Sequence, residues 1–269
     1  MNIRQCFSWS KPYYLVNREE RNLCAILYHL LLINNNLDRF LDWLGCDKIP
    51  EGAVPAIYFE YSQLRDIWHG FKDSEVKRAY ILDTLDYPSK HWLRSCSFHD
   101  FNSYFGAVKE ASERYIQSPG RWAISRYDKI ILNNDDFLKV SRFKWCFNAK
   151  PDIVIHLGDD RAVCIECKFE SGEGLYPGAD ADRGIFAKRS LPLVQQTDIQ
   201  AYLFQLLGVD CQFYYLVVNT AKVTSKHRAI MWHDVFQSLN STGAPDYISE
   251  WIGRFSPNQL LQDDRPTVL

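Results

Sequence analysis

The reading of this chain turns on Lys150-Pro151-Asp152-Ile153-Val154-Ile155-His156-Leu157, a polar break at Gly158-Asp159-Asp160, and then Ala162-Val163-Cys164-Ile165-Glu166-Cys167-Lys168-Phe169. Two β-rich runs around a short turn signal predict a pair of antiparallel strands. Side chains alternate across a strand, so Glu166 and Lys168 leave one face while Val163, Ile165, Cys167 and Phe169 point into a core. The pairing brings Asp152 close to Glu166, and two carboxylates and an ammonium converge.

That convergence suits one chemistry above others. Two carboxylates are hard oxygen ligands for Mg²⁺ or Mn²⁺, which retains most of its waters and can bridge to a phosphate. A neighbouring lysine can orient or deprotonate an attacking water and stabilise charge growing on phosphorus. The bland alternative is a solvated strand face whose Glu-x-Lys pair is a surface ion pair of little energetic consequence.

Pro151-Asp152 followed by Glu166-Cys167-Lys168 resembles the PD-(D/E)xK nuclease superfamily. The resemblance covers about Phe101 to Thr220 and implies an α/β fold with a restriction-endonuclease-like core, a mixed sheet flanked by helices in the order helix, strand, strand, strand, helix, strand. The helix is expected at Phe101–Gln117 and the first strand at about Trp122–Leu132. After the two strands above come a helix at about Leu191–Leu207 and a strand at Gln212–Asn219. The resemblance makes Asp152 and Glu166 metal ligands, the backbone carbonyl of Cys167 a further ligand, Lys168 the catalytic lysine and Mg²⁺ or Mn²⁺ the cofactor. Glu113, at the edge of the inward stripe of the first helix, is a further candidate ligand.

Ser190 can cap the later helix, Pro192 suits its first turn and Gly208 can close it. Leu193, Thr197, Gln200, Phe204 and Leu207 then share a face, in which Gln200 needs hydrogen-bond partners. The family often places a glutamine here beside the metal, so Gln200 joins the candidate catalytic residues, with Gln196 one turn earlier as the other choice. Phe204 stands where the recombination-exonuclease branch has tyrosine. The glycine-rich run Glu170 to Arg189 is long for a loop and reads as a mobile segment facing substrate, with Arg183, Lys188 and Arg189 able to touch phosphates. It lacks the P-loop pattern.

The net charge of −2 does not advertise a nucleic-acid binder, but binding needs only local positive charge. Arg121, Arg126, Lys129, Lys139, Arg142, Lys144 and Lys150, interleaved with Trp122, Trp145 and Phe147, supply it. The eight cysteines sit in apolar runs, as reduced thiols used as small hydrophobes do. Cys164 and Cys167, three apart on a strand, point to opposite faces, so no soft-metal centre is expected from them. No apolar run is long enough to span a bilayer and the start lacks a signal-peptide pattern, so a cytoplasmic protein with no membrane partner is expected.

Residues 1–100 read as an all-helical region, from Glu19–Ile33, Asn36–Leu44, Phe59–Phe71 and Ser74–Leu85, and residues 101–269 as the nuclease-like domain. Short helices at His233–Leu239 and around Tyr247–Phe255 and a loose tail at Asp263–Leu269 follow. The expected function is a metal-dependent nuclease, above all a DNA endonuclease of defence, restriction, repair or mobile-element processing, working alone, as a homodimer or with a partner protein that delivers substrate. The alternative is an inactive nuclease-fold subunit that binds nucleic acid or serves in assembly.

Overall fold

In the computed structural model the strands on either side of the Gly158 turn pair antiparallel, β2 (Ile153–His156) with β3 (Arg161–Lys168), in the register Ile153 to Ile165 and Val154 to Cys164. The structure describes residues 20–46, 49–50, 52–87, 90–107, 112–169, 171–218, 227–246, 248 and 252. The fold is α/β. A mixed five-stranded sheet has the order β1 (Ala56–Phe59), β2, β3, β6 (Asp210–Val217), β7 (Arg228–Met231), with β1 antiparallel to β2 and β7 parallel to β6. The chain divides into two interleaved units: Met1–Tyr61, Pro151–Glu173 and Gln212–Leu269 form one, Ser62–Lys150 and Gly174–Cys211 the other.

The first unit carries the sheet. Helix α1 (Glu20–Leu31) buries Leu23, Cys24, Leu27, Leu30 and Leu31, the spacing of a single helical stripe. Helix α2 (Asn36–Leu44) buries Phe40, Leu41 and Leu44 and ends at Gly45, whose positive φ of 71° suits the residue after a helix end. These side chains form one core with Ile153, Ile155, Val163, Ile165, Cys167, Phe169, Leu216 and Trp232, so the odd-numbered face of β3 is the core face, as the alternation predicts. Asn36 secures the α1–α2 corner, donating to the carbonyls of Leu30 and Asn240 and accepting from the N–H of Asn240, each at 2.8 Å.

The second unit is mainly helical, with an aromatic interior of Phe101, Phe105, Trp122, Tyr127, Phe137, Phe143, Phe147 and Phe186. Its helices include α3 (Gln63–Gly70), α4 (Ser74–Leu85), α5 (Phe98–Tyr104), α6 (Ile124–Tyr127), α7 (Asn134–Cys146), α8 (Asp180–Lys188) and α9 (Gln196–Leu206), beside a two-residue pairing of β4 (Leu175–Tyr176) with β5 (Val194–Gln195).

Several expectations are corrected. The first hundred residues are not all helical, because Ala56–Phe59 is the strand beside β2. The helix expected over Phe101–Gln117 stops at Tyr104: Gly106, at φ 67°, donates to Ser103 O and Ala107 N–H reaches back to Asn102 O, the paired bonds that close a helix. Trp122–Leu132 is not a strand. After buried Trp122, its buried residues Ile124, Tyr127 and Ile131 fall at helical rather than alternating spacing, and Ala123 O receives the N–H groups of Arg126 and Tyr127.

The run Glu170–Arg189 is no structureless loop, since it contains β4 and α8. Ser190 ends α8 at φ 56° instead of capping the next helix, which begins at Gln196, and Leu193 is exposed. Gly208 does close that helix, at φ 69°. A helix is found at Trp232–Ser238. Ile248 and Ile252 are helical, whereas Asn219 and the expected tail Asp263–Leu269 lie outside the described residues.

Candidate functional site

β3 runs inward from half-buried Arg161 to fully enclosed Cys167 and Lys168, so its charged face is not a solvated one. Glu166 is 2 % exposed and Lys168 7 %, and Lys168 Nζ donates to Glu166 Oε1 at 2.6 Å. This overturns the surface-pair alternative. A buried pair loses hydration that a surface pair keeps, so it persists only when further polar groups complete it.

Two more carboxylates do so. Asp152 directly precedes β2 and its Oδ2 accepts the N–H of Cys167 at 2.8 Å. In an extended strand the N–H and C=O of one residue point to the same side, so the Cys167 carbonyl also faces the Asp152 flank. The fourth group comes from α1. Glu20, its first residue, accepts the N–H of Phe169 and the hydroxyl of Ser171, each at 2.9 Å, and stands 3.8 Å from Lys168 Nζ. Trp232 Nε1 donates to Lys168 O at 3.2 Å and fixes the end of β3.

Glu20 is a further acid beside the strand end, on a helix that precedes the sheet in the chain. Sequence reasoning missed it, although one signal was present: Glu20 lies four residues before Cys24 and so continues the apolar stripe of α1. Glu113 is on no helix; it is exposed, in a bend of the second unit. Gln200 is completely buried on α9, also in the second unit. Gln196 starts that helix and donates its N–H to Gly174 O at 2.8 Å.

Three carboxylates thus face one ammonium. Burial, and then the charge of Glu166, hold the Asp152 carboxyl well above the usual carboxylate range, against the pull of the Cys167 N–H and Lys168. Burial alone would lower Lys168, but Glu166 by charge and hydrogen bond, helped by Glu20 and Asp152, raises it above its ordinary value. The lysine is therefore held as an ammonium, and the cluster has more carboxyl groups than that one charge can pair.

Behind it lies a group the sequence did not suggest. The thiols of Cys24 and Cys167 and a carboxylate oxygen of Asp152 all fall within 4.8 Å of one another, the closest such gathering among the described residues. The thiol that Cys167 meets in this group is Cys24 on α1.

The proposed nucleic-acid surface fares less well. Trp122, Trp145 and Phe147 are each no more than 3 % exposed, so none can stack on a base. Arg189 is consumed internally by Asp128 and by backbone carbonyls. Lys188 is exposed, and Arg183 donates to Pro177 O at 3.0 Å. Among the described residues no helix is long and apolar enough to cross a membrane. Comparison of the chain with protein-family models, with curated proteins and with solved structures returns no match.

Proposed function

We propose that the chain is a metal-dependent nuclease of the PD-(D/E)xK kind, hydrolysing phosphodiester bonds of nucleic acid, foremost as a DNA endonuclease in defence, restriction, repair or mobile-element processing. The observation that carries the reading is the buried cluster at the end of β3, where Asp152, Glu166 and Glu20 outnumber Lys168. Three carboxyl groups around one ammonium exceed what a structural ion pair needs, and a divalent cation would favour the ionised form of the surplus. The chain order supports it: α1, β1, β2, β3, α9 and β6 follow the helix, strand, strand, strand, helix, strand of a restriction-endonuclease-like core, with α2 added before β1, residues 62–150 between β1 and β2, and β4, α8 and β5 between β3 and α9.

The donor chemistry fits Mg²⁺ or Mn²⁺. Such an ion commonly takes one or two carboxylates and keeps its waters, so it does not require all three acids at bonding distance from one another. Asp152, Glu166 and the Cys167 carbonyl would hold it, with Glu20 tying the strand end and Lys168 in place. The bound ion supplies Lewis acidity and lowers the pKa of a coordinated water. Lys168, kept protonated by its acidic neighbours, is a donor rather than a base: it orients the attacking water and offsets charge building on the phosphoryl oxygens. Glu166 fixes the ammonium through the 2.6 Å contact.

The decisive assay incubates the purified chain with plasmid, linear duplex, single-stranded DNA and RNA, in Mg²⁺ or in EDTA. Cleavage of at least one substrate that disappears in EDTA and in Glu166→Gln supports the proposal. No cleavage, together with no heat and no thermal shift on Mn²⁺ titration, favours the inactive nucleic-acid-binding or assembly subunit. The internal pairing of Glu166 with Lys168 is the observation in favour of that second reading.

A further inference from the structure

We infer that Cys24, Cys167 and Asp152 form a second, thiophilic metal site, fit for Zn²⁺ or Cd²⁺, which shares Asp152 with the proposed magnesium site. The three ligand atoms come from α1, β3 and the residue before β2, and all lie within 4.8 Å of one another. Zinc–thiolate bonds of about 2.3 Å set tetrahedral ligands about 3.5–4 Å apart. Two thiolates and a carboxylate are the softer donor set that zinc and cadmium prefer and magnesium does not. Both cysteines are fully buried while Asp152 is half-buried, so the carboxylate is the side from which an ion enters and where a water completes the tetrahedron.

The consequence for activity rests on the nuclease reading. An ion held by the thiols takes the Asp152 carboxylate away from the hard-metal side, so zinc depresses magnesium-supported cleavage and excess magnesium does not readily restore it. Asp152 is then a branch point between an active and an inhibited metal state. Occupancy follows from how much thiophilic metal is free.

The test uses Cd²⁺ and the ultraviolet sulfur-to-metal charge-transfer absorption of the full chain, with no nuclease assay involved. The background is a chain with Cys6 and the half-exposed Cys46, Cys96 and Cys211 changed to alanine. One equivalent of Cd²⁺ should produce the band, and Cys24→Ala and Cys167→Ala should each remove most of it. Absence of the band in the folded background chain, or its survival in both cysteine variants, overturns the site. Should a cysteine variant fail to fold, Asp152→Asn keeps both thiols and should weaken Cd²⁺ binding by about tenfold or more; unchanged affinity overturns the shared ligand. A chain that binds Cd²⁺ through both thiols but cleaves nothing in Mg²⁺ refutes the nuclease reading alone.

Discussion

Two ionic clusters among the described residues solve opposite problems, one half-buried in the second unit and one buried at the end of β3. In the second unit, Arg189 meets Asp128 Oδ1 at 2.5 Å, donates to the carbonyls of Asp128 and Ile131 at 2.7 and 2.8 Å, reaches Asn134 Oδ1 at 3.1 Å and lies 4.0 Å over the ring of Phe137. Its donors are used and its charge is matched, which is the pattern of a joint holding α6, α7 and the end of α8 together. At the end of β3, Lys168 pairs with Glu166 at 2.6 Å and with Glu20 at 3.8 Å, and Asp152 is the carboxyl left over. A balanced cluster stabilises a fold; an unbalanced one, held by the surrounding structure, is where a cation and chemistry belong.

The largest expected effect tests the unbalanced side. Glu166→Gln keeps an acceptor for Lys168 but removes a ligand charge, so Mg²⁺-dependent cleavage should fall by at least about 10²–10³-fold with an unchanged circular dichroism spectrum. Retained cleavage would place the chemistry elsewhere. Lys168→Ala should also abolish cleavage and, unlike a surface change, lower stability in urea by about 3–5 kcal/mol, because it strands a buried carboxylate. The burial of both partners is what makes the fold feel the change. Bound Mn²⁺ should recover part of the loss.

Arg189→Ala tests the balanced side. Asp128 retains some contact with solvent, so the cost should be about 2–3 kcal/mol, while specific activity per folded molecule stays constant. A large activity loss without destabilisation would erase the distinction between the two clusters. Gln200→Leu probes α9 in the same way: a core amide predicts a stability loss of about 1–3 kcal/mol with activity preserved in the folded fraction, and the reverse outcome assigns Gln200 to catalysis.

The smallest effect is the sharpest in sign. Because the Asp152 carboxyl is raised above its unfolded value, the folded state binds more protons than the unfolded one across the interval between the two pKa values. Stability therefore declines as pH rises through that interval, and the deficit persists above it. Asp152→Asn should melt higher than the wild type at neutral pH without metal. The difference should vanish below the ordinary carboxylate range and reverse in saturating Mn²⁺. Equal melting curves at all pH values would mean that Asp152 carries no unfavourable charge.

Legibility along the chain followed the range of the interactions. The β2–β3 pair was readable because a period of two, β-rich composition and a turn signal are all local, and they fix which face each side chain takes. The segment from Phe101 to Leu132 was misread at Gly106, where a helix closure looked like an interior glycine, and at Ile124, Tyr127 and Ile131, whose spacing of three and four is the helical signal. The strand Ala56–Phe59 was passed over because four residues carry too little periodicity to stand out from their neighbours.

By itself, the sequence determined the pairing of β2 with β3, the separation of Val163, Ile165 and Cys167 from Glu166 and Lys168, and the placement of Asp152 at the head of its strand. Only the tertiary structure decided that the charged face is buried, that the third carboxylate is Glu20 and that Cys167 meets Cys24. Glu20 reaches the N–H of Phe169 across 149 residues of chain. Such contacts arise from the docking of a helix stripe onto a sheet face, and docking imposes no spacing rule on the residues it joins.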